Sequence, residues 1–321
     1  MEISLPSRLL LSLVILAASL VTPIFVKAAA KNEGKLHSVG VTLAEDGGPY
    51  YEQVVRGVEH AAREINPEVQ FSAVSCKNGA ALQIEQLDKF VRDGVDVIVI
   101  QRSYAGDSSP AVQRARQAGV VVVAIDAAVP GGTDALVRPD ERQGGLVAAQ
   151  YVAARLKDGG EVALANGPTK YPAIKDRADG FTDELKKHPS IRIVEGQDTG
   201  MSRDGATKAM EGFMTRHPHL AAVYGVNDPV AVYCEAAALR AGRSDLFIVG
   251  MEGSPRSVTA MKDPARLIAA SPGEDPYALA ETALRRGGGI LRGEPRPSEP
   301  ILVPFTPLSR ANVEGYQGWS K

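Results

Sequence analysis

Val120–Ala128 reads VVVVAIDAA: six apolar or small residues that stop abruptly on an acid, Asp126. The helix-like PAVQRARQAG, closed by Gly119, precedes it. A short apolar run after such a helix predicts a buried strand of a parallel sheet, with Asp126 at its carboxyl end. Open α/β sheets bind their ligands at that end. The pattern recurs at Ala221–Asp228 (AAVYGVND) and Leu246–Glu252 (LFIVGME), where an apolar run again ends on a polar residue. Three strand ends can serve one ligand if the chain brings them together.

Upstream of this stretch, strand and helix patterns alternate. LHSVGVTL predicts the first strand, and a helix from Tyr50 to about Ile65 carries Val54, Val55, Val58 and Ala62 at helical spacing. VQFSAV, a helix over Ala80–Arg92, VDVIVI and a helix over Ser109–Ala118 follow. Short loops between such units mean a parallel sheet with helices on both faces. Downstream, the rhythm breaks at Val129-Pro130-Gly131-Gly132, and DALVRPD leads into a helix over Asp140–Leu156, where the chain changes lobe. A second βα series runs from EVALAN to RLIAAS. It includes helices over Pro172–Lys187, Arg203–Arg216, Pro229–Ala241 and Pro255–Met261. The spacing predicts a last helix over Tyr277–Leu291, broken at Gly287-Gly288-Gly289, then a strand ILVPF and a polar tail.

Length and composition fit two α/β lobes: 321 residues, 44% hydrophobic and 5% aromatic. Charge is nearly balanced, 36 basic against 38 acidic residues, and there is no basic patch to suit nucleic acid. The two cysteines, Cys76 and Cys234, are expected as free buried thiols. Leu9–Val26 is almost wholly apolar and precedes Lys27 and Ala28-Ala29-Ala30. Residues 1–30 are therefore expected to be a secretory signal peptide cleaved near Ala30, with an uncleaved membrane anchor as the other reading. No cysteine closes the run to accept a lipid. The sequence lacks GxSxG, GxxxxGK[ST], HExxH, paired CxxC and a strand-borne GxGxxG, so no enzyme, cofactor or metal is expected. His217-Pro-His219 reads as a solvated helix end rather than a metal site.

GGPYYEQVVRGVEHAA after the first strand, AIDAA after the fourth, AIKDRADGFTDEL, HPHLAAVYGVNDPVAVYCEAA and IVGMEGSP, in this order, resemble the periplasmic sugar-binding proteins of the ribose-binding type. These are type I solute-binding proteins of ABC importers. The resemblance spans about Leu36 to Phe305. It implies an α/β fold of two similar doubly wound parallel-sheet lobes joined by a three-strand hinge, with the ligand between them. The amino-terminal lobe would be 36–138 with 275–303, and the carboxyl-terminal lobe and tail 139–274 with 304–321. Crossings would lie near Arg138, Glu274 and Val303.

The resemblance also implies a set of ligand-binding positions. Tyr50 and Tyr51 match paired aromatics that stack on sugar C–H faces, or else they staple the start of the helix. Asp126 matches the acid that accepts from vicinal hydroxyls, or it caps a turn. Ala127 stands where ribose binders have arginine, so a charged donor fork is missing. Lys175 falls near a ligand-binding arginine and is either a ligand contact or a surface charge; Arg177 reads as structural. Met201 replaces a closing aromatic, or fills core. Asn227 is expected as the ligand contact and Asp228 as the cap of the next helix. Glu252 replaces an aspartate, and Glu274 aligns with a glutamine at the third crossing. Arg102 could supply a donor from the amino-terminal lobe, or make a cleft-rim ion pair.

A pocket so rich in acceptors predicts a donor-rich ligand: a polyol, a deoxy or amino sugar, or another hydroxylated small molecule. The expected protein is a periplasmic monomer that delivers this ligand to an ABC permease in the membrane. The alternatives are a sensor presenting the closed form to a receptor kinase or chemoreceptor and, less favoured, an enzyme on the same scaffold.

Overall fold

The structure, a computed structural model, describes residues 34–45 and 47–320. The expected signal peptide lies outside the described residues. Among the described residues eleven strands form two sheets, and every strand pair in them is parallel. The first sheet contains β1 (Ser38–Leu43), β2 (Gln70–Ser75), β3 (Val97–Ile100), β4 (Val121–Ile125), β5 (Ala135–Pro139) and β11 (Ile301–Val303), in the order β11-β5-β4-β3-β1-β2. The second contains β6 (Gly160–Asn166), β7 (Ile191–Asp198), β8 (Leu220–Gly225), β9 (Phe247–Val249) and β10 (Ile268–Ala270), in the order β10-β9-β8-β6-β7.

The opening stretch is a central strand of the first sheet, and its apolar run is explained by burial on both faces. Val121, Val123 and Ile125 join Val97 and Val99 under α1 (Gly48–Ile65) and α9 (Pro276–Leu291). Val122 and Ala124 join Ile98 and Ile100 under α2 (Ala80–Arg92) and α3 (Ser109–Gln117). Period-two alternation therefore sends valine to both cores, as a doubly covered parallel sheet requires. The second sheet packs under α4 (Glu141–Arg155), α5 (Pro172–Leu185), α6 (Arg203–Arg216), α7 (Asp228–Arg240) and α8 (Pro255–Lys262), around one continuous core. Cys76 and Cys234 are free and buried. No helix among the described residues is long and apolar enough to cross a membrane.

The chain passes between the sheets three times: from β5 into α4, from β10 back to α9, and after β11. The first and third crossings are tied where the Asp140 N–H donates to the Val303 carbonyl at 2.8 Å. The second and third are tied by antiparallel bridges between Gly273 and Thr306 and between Ala270 and Ser309.

Two expectations are corrected. Helix α9 is unbroken through Gly287-Gly288-Gly289. A Cβ at Gly287 would meet Val97 Cγ1 at 2.7 Å, so this glycine lets the helix lie close on the sheet rather than ending it. The tail is not simply a polar trailer: Val313 is buried, Val313–Gly315 forms a 3₁₀ turn, and Trp319 is only partly exposed.

Candidate functional site

The expected site residues lie where the parallel strands end. Arg102 follows β3, Asp126 β4, Met201 β7, Asn227 β8, Glu252 β9 and Glu274 β10, while Tyr50 and Tyr51 open α1 after β1. Three of these positions carry non-glycine residues with left-handed backbone: Asp126 at φ +63°, Met201 at +52° and Glu252 at +104°. Aspartate tolerates that region best. For the other two the conformation costs on the order of 1–3 kcal/mol each and persists only where the surroundings dictate it.

The amino-terminal wall is built around Asp126. Tyr50 Oη donates to both of its carboxylate oxygens, at 2.7 and 2.8 Å, and Gln101 Nε2 donates to Oδ2 at 2.7 Å. Gln101 is buried, and its Oε1 in turn accepts from the Ala44 N–H at 3.2 Å. The ends of β1, β3 and β4 are thereby stitched together. Burial raises the Asp126 pKa to about 6, although both donors pull it down. Burial, with Asp126 adding to it, pushes the Tyr50 hydroxyl well above the usual phenol range. Tyr51 packs on the amino-terminal core. Arg102 makes no ion pair among the described residues. Its guanidinium carbon lies 5.6 Å from the Tyr104 ring centroid, and its buried Nε has no hydrogen-bond partner among the described residues.

The carboxyl-terminal wall is built around Arg177. Its guanidinium is buried and donates from Nε to Glu141 at 2.5 Å, from Nη2 to Glu141 at 3.3 Å, and from Nη1 to Glu252 at 2.8 Å. Burial works against the Arg177 charge, but Glu141 and Glu252 more than offset it and hold the pKa well above its ordinary value. Glu141, the first residue of α4, has its own pKa raised by burial despite that partner. Tyr224, near the end of β8, is fully buried, its ring stacked on Phe181 at 4.0 Å and its hydroxyl without a hydrogen-bond partner among the described residues. Glu274 has a pKa raised well above the carboxylate range by burial, with the Glu252 charge adding to it.

Arg177 therefore stands among the site carboxylates, whereas Lys175, one of the expected ligand contacts, does not. Lys175 is exposed and pairs with Asp179 one turn along the helix. Residues two apart on a helix point to different sides. At β8 the cap falls to Asn227 rather than Asp228. Asn227 Oδ1 caps α7 by accepting from the Val230 N–H at 3.0 Å, which leaves its amide N–H groups for other partners. Asp228, expected as the cap, is buried and accepts from Ser271 Oγ at 2.6 Å and the Ser254 N–H at 2.7 Å. It thus ties the end of β8 to the β9 and β10 loops, and burial lifts its pKa to about 7. Met201 packs beside Gly167, where a Cβ would fall 2.7 Å from Met201 Cγ, and against the carboxyl-terminal core.

A family model described as a periplasmic binding protein domain matches the chain over residues 39–295. The chain belongs to that family. Among its relatives, the ribose import binding protein of Bacillus subtilis is 27% identical over 288 residues, covering 89% of this chain and 92% of its own length. The xylitol-binding protein of Mycolicibacterium smegmatis is 26% identical over 278 residues, covering 86% of this chain and 78% of its own. Among solved structures, an arabinose binding protein from Geobacillus stearothermophilus has a TM-score of 0.78 at 18% identity and covers 87% of this chain and 99% of its own. A solute binding protein of an ABC transporter from Bacillus halodurans, with bound myo-inositol, has a TM-score of 0.72 at 20% identity, covering 89% and 99%. These likenesses bear out the periplasmic binding protein type I fold expected from the sequence.

Gln101, Glu141 and Trp319 are the residues that sequence reasoning missed. A glutamine after a strand and a glutamate in a first helical turn are common on surfaces, so neither announces burial. Trp319 had one available signal: it is the sole tryptophan of the chain.

Proposed function

We propose that this is an exported solute-binding protein that closes its two lobes on a sugar, polyol or related hydroxylated molecule and delivers it to an ABC importer. The observation that carries this reading is the set of strained positions Asp126, Met201 and Glu252, at strand ends of both sheets. A fold keeps such geometry where side chains must be aimed. Four carboxylates, Asp126, Glu141, Glu252 and Glu274, stand against Arg177, the single buried cation among the described residues, so the two walls offer many acceptors to a ligand that brings donors. A ligand bridging both walls gains its full contact energy only in the closed state and shifts the population toward it. The closed face is then what the permease engages. Ribose and xylitol, the ligands named for the two relatives above, are both such molecules.

The test is a thermal-shift screen of the protein lacking residues 1–30 against pentoses, hexoses, polyols and amino sugars. A ligand at about 1,000 times its Kd adds roughly 4 kcal/mol of stability, enough for a clear rise in Tm. A rise with at least one hydroxylated ligand is expected. A rise only with amino acids or other solutes lacking hydroxyl arrays contradicts the reading.

A further inference from the structure

The tail after β11 is fastened to the carboxyl-terminal lobe at successive points. Arg310 donates to the carbonyls of Met261, Asp263 and Arg266, at 3.1, 2.7 and 2.6 Å. Val313 is buried in the carboxyl-terminal core, and Glu314 pairs with Lys262 at 3.1 Å. Tyr316 Oη donates to the Glu274 carbonyl at 2.8 Å, in a slot that side chains would close. A Cβ at Gly253 or Gly273 would fall 2.8 or 2.5 Å from that oxygen.

The tail thereby delivers Trp319 to the ligand residues of both lobes. Its Nε1 donates to the Glu252 carbonyl at 3.1 Å, and its ring meets the Tyr50 ring edge-to-face, centroids 5.6 Å apart at 63°. Tyr50 belongs to the amino-terminal wall through its bonds to Asp126, and Glu252 to the other wall through Arg177. With the indole N–H committed to backbone, the ring acts through its apolar surface. Two aromatic rings set at an angle beside a carboxylate offer what a polyol needs: cover for its C–H face and an acceptor for its hydroxyls.

We propose that Trp319 is a ligand-contacting and specificity-determining residue, an aromatic wall of the cleft supplied by the carboxyl-terminal tail. It completes that wall only when the lobes close and bring Tyr50 against it. The proposal rests on the cleft being a sugar or polyol site.

The test uses the protein lacking residues 1–30, titrated calorimetrically with D-ribose, xylitol, D-allose, L-arabinose and myo-inositol, as wild type, Trp319→Phe and Trp319→Ala. The bound probe is also followed by the fluorescence of the wild type, in which Trp319 is the only tryptophan. Expected are a ligand-dependent change in that fluorescence and an affinity loss of about tenfold or more in Trp319→Ala, the scale of one good aromatic contact. Trp319→Phe should recover part of it, with the ligand-free Tm of both variants near wild type. Wild-type affinity in Trp319→Ala overturns the proposal while leaving the site reading intact. Tighter binding also overturns it, by making the tail a plug that competes with ligand. If the wild type binds none of the five probes, the proposal is overturned; the site reading is decided separately by the thermal-shift screen.

Discussion

The two walls of the proposed cleft hold their acids in opposite ways. On the amino-terminal side, Asp126 is bonded by the neutral donors Tyr50 and Gln101 and has no cation among its hydrogen-bond partners in the described residues; its pKa stands at about 6. On the carboxyl-terminal side, Glu141 and Glu252 share the buried cation Arg177. A hydroxyl of a ligand can replace the Tyr50 hydroxyl at Asp126 with little electrostatic change, because one neutral donor substitutes for another. The Arg177 network cannot give up a member so cheaply, since a buried charge would be left unpaired. The first wall is suited to exchange partners with a ligand, and the second to hold its shape while a ligand is added.

That contrast can be broken by mutation. Arg177→Ala should be the most damaging change: it strands Glu141 and Glu252, and chemical denaturation should show a loss of about 3–5 kcal/mol. An unchanged midpoint would mean that the network does not support the fold. Asp126→Ala should do the reverse, leaving the ligand-free protein folded with near-native Tm while abolishing the ligand-induced rise in Tm. Retained binding would remove Asp126 from the site.

A separate effect should follow pH. Asp126 titrates at about 6 and Asp228 at about 7, against an ordinary 3.8. Over the window from 3.8 up to those values the folded chain keeps protons that the unfolded chain has released, so these two groups make stability fall as pH rises. The ligand-free Tm should accordingly drop between about pH 5 and 7.5, and Asp228→Asn should flatten the drop. Ligand affinity should move the other way, strengthening as Asp126 ionises and becomes a pure acceptor. Smallest of all, Lys175→Ala should change neither Tm nor affinity measurably, because its exposed pair with Asp179 is solvent-screened and remote from Arg177. A clear loss of affinity would restore Lys175 to the site.

Much of the fold was legible because burial on both sheet faces writes itself as unbroken apolar runs, as at Val121–Ile125 and Val97–Ile100. Helices with clean apolar spacing and clear ends, Ala80–Arg92 and Arg203–Arg216, run as their patterns predict. The triple glycine misled because glycine has two uses, ending a helix and letting one lie close to a sheet, and only the neighbouring Val97 decides between them. The cap of α7 fell to Asn227 rather than Asp228 for a similar reason: either can cap a helix with Pro229 in its first turn, and the donors that claim Asp228, Ser254 and Ser271, are remote in sequence. Lys175 stood open between ligand contact and surface charge, and only its pairing with Asp179, with Arg177 turned to Glu141 and Glu252, separates the two positions. The tail was unreadable because its anchors are backbone carbonyls and glycine gaps, which leave little mark on residue type.

The most direct test is a crystal structure of the protein lacking residues 1–30 with the tightest ligand from the screen. The account predicts a ligand between the lobes, with hydroxyls on Asp126 from one wall and on Glu252 or Arg177 from the other. A ligand held by one lobe alone, or away from these strand ends, would contradict it.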